Sequence, residues 1–327
     1  AMQSIRNFVN RSFARVGMVA VGGAIVLSAL SQSKARKAKK IADKSLLHID
    51  LTVPIVEVPP NPIQMLFAQG NKPIALRTVI ESIRKASTDN RIKGIVCTFN
   101  HSAVPSVGQA QEVRNAILEF KETQKSLPAE DRKFAWVSAD TFGEAGNGST
   151  QYYIASAFDK IYVQPSGLLG FVGIATHNLF MKDLLDKLGI YAQMFTYHEY
   201  KNATNFLTQT GYTDAHKEQL TKLLESLFSQ MVSGVARSRG LTEERVRELV
   251  DQAPITAAAA QKAGLVDGVL YFDQVISLAK ESGVSGSLVA LPRYAKAVGT
   301  ADLSKGTPLP TSSSQSAAAA AAAGSPG

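Results

Sequence analysis

Phe134-Ala-Trp-Val-Ser138, Tyr152-Tyr-Ile-Ala-Ser-Ala-Phe158 and Lys160-Ile-Tyr-Val163 form the stretch whose reading decides the fold. The first and last pieces are short runs rich in aromatic and β-branched residues, the pattern of buried strands. The middle piece is a compact apolar segment with helical length. Between the first strand and the helix lies Asp140 to Ser149, a glycine-containing loop. Strand, helix and strand in this order make a parallel unit, because parallel strands need a crossover.

The same alternation extends in both directions. Upstream, Leu46 to Leu51 and Val53 to Val58 read as an opening strand or hairpin, and Ile74 to Lys85 as a helix with Leu76, Val79, Ile80 and Ile83 on one face. Ile95 to Phe99 is a short buried strand. Val107 to Thr123 is a helix presenting Val113, Ala116, Ile117 and Phe120. Downstream, Phe180 to Leu188 is a short helix closed by Gly189, and Tyr191 to Tyr197 reads as a strand. A long helix runs from a Thr213 cap to Gly240 with an apolar stripe from Leu220 to Val235, suited to core packing or a subunit contact. A helix follows Thr242, and Ala257 to Gly264 leads into Leu265-Val-Asp267. Residues 46–297 therefore read as one α/β domain with a mostly parallel sheet and flanking helices.

The ends have a different composition. The hydrophobic share of 45% and charged share of 19% are those of a folded protein. The net charge of +8 invites a nucleic-acid reading, but its distribution removes it. Residues 1–42 hold eight cations (Arg6, Arg11, Arg15, Lys34, Arg36, Lys37, Lys39 and Lys40) and no acid. The rest of the chain is then neutral, so no nucleic-acid partner is expected. Met2 to Arg15, amphipathic and free of acid, has the pattern of an organelle transit peptide. Val16 to Leu30 is an apolar run of about fifteen residues, shorter than the roughly 20 of a comfortable span. It is either a tilted anchor retained in a thin membrane or the core of a cleaved signal peptide. Residues 1–45 are thus read as targeting peptide and short hydrophobic anchor, with the mitochondrial inner membrane as destination and another organelle or a bacterial plasma membrane as alternatives. Residues 298–327, rich in alanine and serine, are expected to be disordered.

The candidate chemistry lies in two places. Ser149 precedes Tyr152-Tyr153, and Lys201 sits in Glu199-Tyr-Lys-Asn-Ala203, 52 residues later. A serine hydroxyl needs a base to take its proton, and a lysine serves as one when its amine is desolvated. By residue type alone, Ser149 is an ordinary loop serine and Lys201 an ordinary solvated lysine. Were Tyr191 onward a strand, Glu199 and Lys201 would share a face, so the dyad requires a local turn. Other chemistries find less support. The five histidines show no metal-ligand spacing, and Gly143 to Gly148 lacks the lysine of a phosphate loop. Asp140 and Glu144 have no evident substrate between them. The single cysteine, Cys97, reads as a small buried hydrophobe, and one cysteine makes no intrachain disulfide. No cofactor or metal is expected.

Taken in order, Ile95 to Phe99, Tyr152 to Ser156 with Asp159-Lys-Ile161, Gln164 to Gly167 with Gly170 to Ile174, Leu184 to Ile190, Tyr200 to Ala203 and Ala263 to Asp267 resemble the signal peptide peptidase A (protease IV) family. The resemblance covers about residues 50–275. It implies a ClpP/crotonase-like fold, membrane attachment, ring-like oligomers and cleavage of signal or other membrane-derived peptides. It implies Lys201 as general base and Ser149 as nucleophile, with the N–H of Thr150 and one from the Ala103–Val104 turn holding the oxyanion. The chain departs from the short forms in having Thr150 and Gln151 after the serine and Asn100 to Pro105 without glycine. The insertion from Thr141 to Gly148 and the Lys201 motif resemble the lysine-bearing N-terminal half of the long forms. That likeness leaves a second expectation open: an impaired or partner-dependent subunit, in a homo-oligomer or with related chains. Crotonase-type acyl-CoA chemistry finds no further acid–base constellation.

Overall fold

A computed structural model describes residues 41–58, 73–100, 104–144 and 147–301. The expected transit peptide, the apolar run and nearly all of the alanine-rich tail lie outside these residues. Among the described residues, no helix is long and apolar enough to cross a membrane.

The elements run β1 (Ser45–Asp50), β2 (Ile55–Val56), β3 (Ile74–Ala75), α1 (Leu76–Thr88), β4 (Ile92–Phe99), α2 (Val107–Lys125), β5 (Phe134–Ala139), α3 (Ser149–Ala155), β6 (Lys160–Val163) and β7 (Leu168–Leu169). They continue with α4 (Lys182–Lys187), α5 (Asn205–Thr208), α6 (Asp214–Arg239), α7 (Glu243–Asp251), β8 (Ile255–Thr256), α8 (Ala257–Lys262), β9 (Gly268–Val269), α9 (Phe272–Glu281), β10 (Leu288–Ala290) and α10 (Leu291–Val298). Six strands make one sheet in the order β10-β1-β4-β5-β6-β9, every pair parallel. The α/β reading with a parallel sheet is therefore correct.

Helices cover both faces. On one side α1, α2, α3 and α6 bury Leu47, Ile49, Ile95, Cys97, Ala135, Val137, Ile161 and Val163. On the other, Val275 and Ala279 of α9 close over Leu46, Val96, Trp136 and Tyr162. The strands alternate because their period of two sends neighbours to opposite faces. Asp159 and Asp267 fasten the inner edge: their carboxylates accept from the N–H groups of Ala135 and Ile161, each at 2.8 Å.

Two sequence expectations are corrected. The opening is no hairpin: β1 pairs in parallel with β4 and β10, while Ile55–Val56 pairs in parallel with Ile74–Ala75. The expected strand over Tyr191 to Tyr197 is absent, and that stretch is irregular and mostly exposed. Strand propensity needs a partner edge, and the edge of β6 is taken by β9. By contrast α6 begins and ends as read. The Thr213 hydroxyl accepts from the His216 N–H, and Gly240 takes the left-handed conformation with φ 66°. Its stripe is buried only from Met231 onward; Leu223 stays half exposed at 54%.

Candidate active site

The loop after β5 brings Ser149 to the carboxyl edge of the sheet, where open parallel sheets bind ligands. Ser149 is the first residue of α3 and is fully buried. Gly148 just before it approaches the backbone so closely that a Cβ would sit 2.2 Å from the Phe142 oxygen. Its N–H donates to the Gly170 carbonyl at 2.9 Å. Tyr152 anchors the helix from below. Its ring packs between Phe142 and Phe171, and its hydroxyl donates to the Leu265 carbonyl at 2.7 Å. Burial pushes its phenol pKa upward, so it stays a donor.

The Ser149 hydroxyl meets Gly173. Its Oγ donates to the Gly173 carbonyl at 2.8 Å and accepts from the Gly173 N–H at 3.0 Å. Asn147 reinforces the contact: its Nδ2 donates to the same carbonyl at 3.0 Å, and its Oδ1 accepts from the Ser149 N–H at 2.8 Å. Thr150 is buried and its hydroxyl makes no hydrogen bond among the described residues. Gln151 donates to the Asn100 carbonyl at 2.8 Å and ties α3 to the end of β4. Of the expected oxyanion residues, Thr150 lies in the first turn of α3, where helical N–H groups lack intrahelical acceptors. Ala103 lies outside the described residues, and Val104 is exposed.

Lys201 lies elsewhere. It ends an arm, residues 175–201, that is exposed along nearly its whole length. The turn required by the sequence is present: the Lys201 N–H donates to the His198 carbonyl at 3.3 Å, and His198 has φ 69°. The flanks of the turn are held by the start of α6. Tyr200 Oη donates to Glu218 at 2.9 Å, and Asn202 Nδ2 donates to Gln219 at 2.6 Å. Lys201 is exposed, so the described residues of the single chain supply no water-excluding pocket for a neutral amine.

Helix α6 works as a ruler between the two groups. Its Phe228 lies against Gly173, 3.6 Å from where a Cβ would stand. Glu218 and Gln219 lie ten and nine residues earlier, about 14 Å along the axis at ~1.5 Å per residue. Among the described residues both hydrogen-bond partners of Ser149 Oγ lie on Gly173, and no hydrogen bond joins it to Lys201. Asn147, Gly173, Glu218 and Gln219 were not singled out as site residues from the sequence. Gly173 stood only inside a family-like motif, and α6 only as an apolar stripe.

Near the Lys201 turn, a cleft of about 530 Å³ is lined by Asn178, Phe180, Asn202, Ala203, Phe206 and His216. His216 is buried there, with Nε2 3.0 Å from Asn178 Nδ2 and Nδ1 3.4 Å from Asn205 Nδ2. A larger cleft of about 1000 Å³ lies at the opposite, amino end of the strands beside Lys44, Lys93 and Lys133. Lys133 donates from Nζ to the carbonyls of Ala86 and Asp89, both at 2.8 Å. Burial, with help from Lys93, brings its amine down to about 8.

Residues 133–285 match the model of peptidase family S49. A chloroplastic serine protease SPPA of Arabidopsis thaliana is 26% identical over 66% of this chain and 30% of its own length. Protease 4 of Haemophilus influenzae is also 26% identical, over 59% of this chain and 30% of its own. A putative signal peptide peptidase SppA of Enterococcus faecium is 22% identical over 64% and 57%. The chain thus spans about a third of the first two relatives. Among solved structures, a mutant of the 1510-N membrane-bound stomatin-specific protease aligns with TM-score 0.42 and 11% identity, covering 72% of this chain and 85% of that one.

Proposed function

We propose, from the premise that this chain is related to signal peptide peptidase A and carries a peptidase family S49 segment, that it is a membrane-associated serine endopeptidase acting on signal or other membrane-derived peptides. Ser149 is its nucleophile and Lys201 its general base, with the Thr150 N–H and one from the Ala103–Val104 turn for the oxyanion. The finer fold assignment is ClpP/crotonase-like. The acid-free start and the apolar run of residues 16–30 support an organellar membrane, with the mitochondrial inner membrane preferred.

The observation that carries this reading is the display of Lys201 on an exposed arm whose large apolar residues, Leu188, Tyr191, Phe195 and Tyr197 among them, are uncovered in the single chain. A patch of this kind marks an interaction surface. Packed against a second copy or a related chain, the arm gains cover and Lys201 the apolar pocket its chemistry needs. The dyad is then assembled between chains, which agrees with the length of α6 separating the two groups in one chain. The base takes the Ser149 proton as Oγ attacks the scissile carbonyl, and returns it to the leaving amine; water then releases the acyl group.

A fluorophosphonate probe tests this on the assembled full-length protein. Labelling of Ser149 that disappears in both Ser149→Ala and Lys201→Ala is the expected result. A second reading, an impaired or partner-dependent subunit, is favoured by the double engagement of the Ser149 hydroxyl with Gly173. It expects labelling of a co-purifying chain that is lost in Lys201→Ala, or none at all on an intact oligomer.

A further inference from the structure

A hydroxyl has one proton to give and two lone pairs to receive. In this structure the Ser149 proton is committed to the Gly173 carbonyl, and one lone pair is committed to the Gly173 N–H. No part of the residue is open to solvent. A base that is to take this proton must first displace the carbonyl, and a substrate that is to meet Oγ must first displace the peptide. We propose that the Ser149–Gly173 contact is an autoinhibitory clasp: the strap Val172 to Ile174, hinged at the buried Phe171, holds the hydroxyl in the resting chain and swings away before Ser149 can act. This rests on reading Ser149 as the nucleophile.

The strap is built with one firm end and one loose end. At the firm end, the Gly170 N–H donates to the Phe142 carbonyl at 2.7 Å, the Gly170 carbonyl accepts from Gly148, and Phe171 is buried against Tyr152. At the loose end, no helix or strand begins until Lys182, and residues 175–179 are all exposed. Between them stands Gly173 with φ 87°, a conformation that side chains disfavour and that lets its peptide turn both polar groups toward Ser149. Val172 faces outward. Motion of the loose end pulls on the clasp once Ile174 leaves the core and Gly173 leaves Phe228 of α6.

Asn147 sets how tightly the clasp closes. It shares the Gly173 carbonyl with Ser149 and also holds the Ser149 N–H, so one side chain fastens both halves. Asn147→Asp keeps the acceptor for the Ser149 N–H, and so the start of α3. It replaces the donor to Gly173 with a carboxylate oxygen that repels the carbonyl. The variant separates the clasp from the helix.

The test compares the rate of fluorophosphonate labelling at Ser149 in the assembled full-length protein, wild type against Asn147→Asp. An increase of about tenfold is expected, the scale of one lost hydrogen bond. In parallel, hydrogen exchange at the Gly173 amide is expected to speed up about tenfold in Ser149→Ala, a readout that requires no activity. Equal labelling rates overturn the clasp and leave the peptidase reading standing. Unchanged exchange at Gly173 in Ser149→Ala overturns the clasp whatever the labelling. Absence of labelling in both proteins, with Gly173 exchange faster in Ser149→Ala, makes the contact a purely structural one and overturns the nucleophile reading together with the clasp.

Discussion

Arg114 holds Tyr153 twice: Nη1 donates to its carbonyl at 2.7 Å, and the guanidinium carbon stands 4.6 Å from the centre of its ring. The same guanidinium reaches the Ser156 hydroxyl at 2.6 Å, the Gly234 carbonyl at 2.7 Å and the Ser238 hydroxyl at 2.6 Å. Arg114 is buried and has no carboxylate partner among the described residues, and burial lowers its pKa. Its charge is dispersed over four oxygens on α3, α6 and the residues that end α3. Arg114→Met removes the buried guanidinium that donates to the Tyr153 and Gly234 carbonyls and to the Ser156 and Ser238 hydroxyls, and is expected to cost about 3 kcal/mol, read from the urea midpoint. Arg114→Lys keeps the charge but not the fork that spans two helices, and is expected to recover only part of the loss.

Gly234 is the other half of this junction. A Cβ there would meet the Tyr153 ring at 2.6 Å, between α6 and α3. Gly234→Ala gains helix propensity in α6 yet forces the helices apart, and the net expectation is a loss of about 1–3 kcal/mol. A thermal melt decides the sign: a stabilised variant would mean that the Tyr153 ring yields without consequence.

Asp267 joins three elements. Its carboxylate accepts from the Ile161 N–H and pairs with Arg239 Nη1 at 3.0 Å, while its own N–H donates to the Ile161 carbonyl at 2.8 Å. The Arg239 side chain is only 9% exposed, so loss of its partner is felt. Asp267→Ala is expected to lower stability by about 2 kcal/mol and to fray the β6–β9 edge, seen as faster exchange of the Ile161 amide.

What was legible in the sequence follows from what is local. Thr213, Thr242 and Gly240 mark helix ends through contacts within a few residues, and all three act where the sequence put them. Strands β4, β5 and β6 announced themselves because both faces are covered and their runs are continuously apolar. Asp159 and Asp267 were visible only as members of a family-like pattern; their task of holding strand N–H groups depends on partners more than twenty residues away. The apolar run from Tyr191 to Tyr197 misled for a similar reason: its residues have strand chemistry but no edge to join. The clasp on Ser149 was invisible, since Gly173 approaches from 24 residues downstream through its backbone alone.

Lys133 carries a pH dependence whose sign is fixed by its burial. The amine titrates at about 8 in the folded chain against an ordinary 10.5. Below pH 8 both states hold the proton, and the folded state carries the full penalty of a partly buried ammonium. From about 8 to 10.5 the unfolded state holds the proton that the folded state has released, so stability rises with pH. Cys97, Tyr152 and Tyr294 oppose this at the alkaline end, because burial pushes each of them upward. They are common to wild type and Lys133→Met, so the difference between the two isolates the lysine. Relative to the variant, wild type is expected to gain stability between pH 8 and 9.5; a constant difference across that window would sink the assignment.

If Ser149 and Lys201 meet only across a contact between chains, two inactive variants must rescue each other. Each site in an oligomer of Ser149→Ala chains lacks the nucleophile, and each in an oligomer of Lys201→Ala chains lacks the base. Denatured together in equal amounts and reassembled, they form sites in which the serine and the lysine come from different copies. Random mixing gives both intact residues at about one site in four, from the requirement that each of two neighbours contribute its wild-type copy. Fluorophosphonate labelling of the mixture is therefore expected at about a quarter of the wild-type extent, all of it on Lys201→Ala chains, which keep Ser149. A dyad closed within one chain predicts no labelling at any mixing ratio. That contrast depends only on which chain supplies which residue, and it measures whether the separation set by α6 is the working geometry of the site.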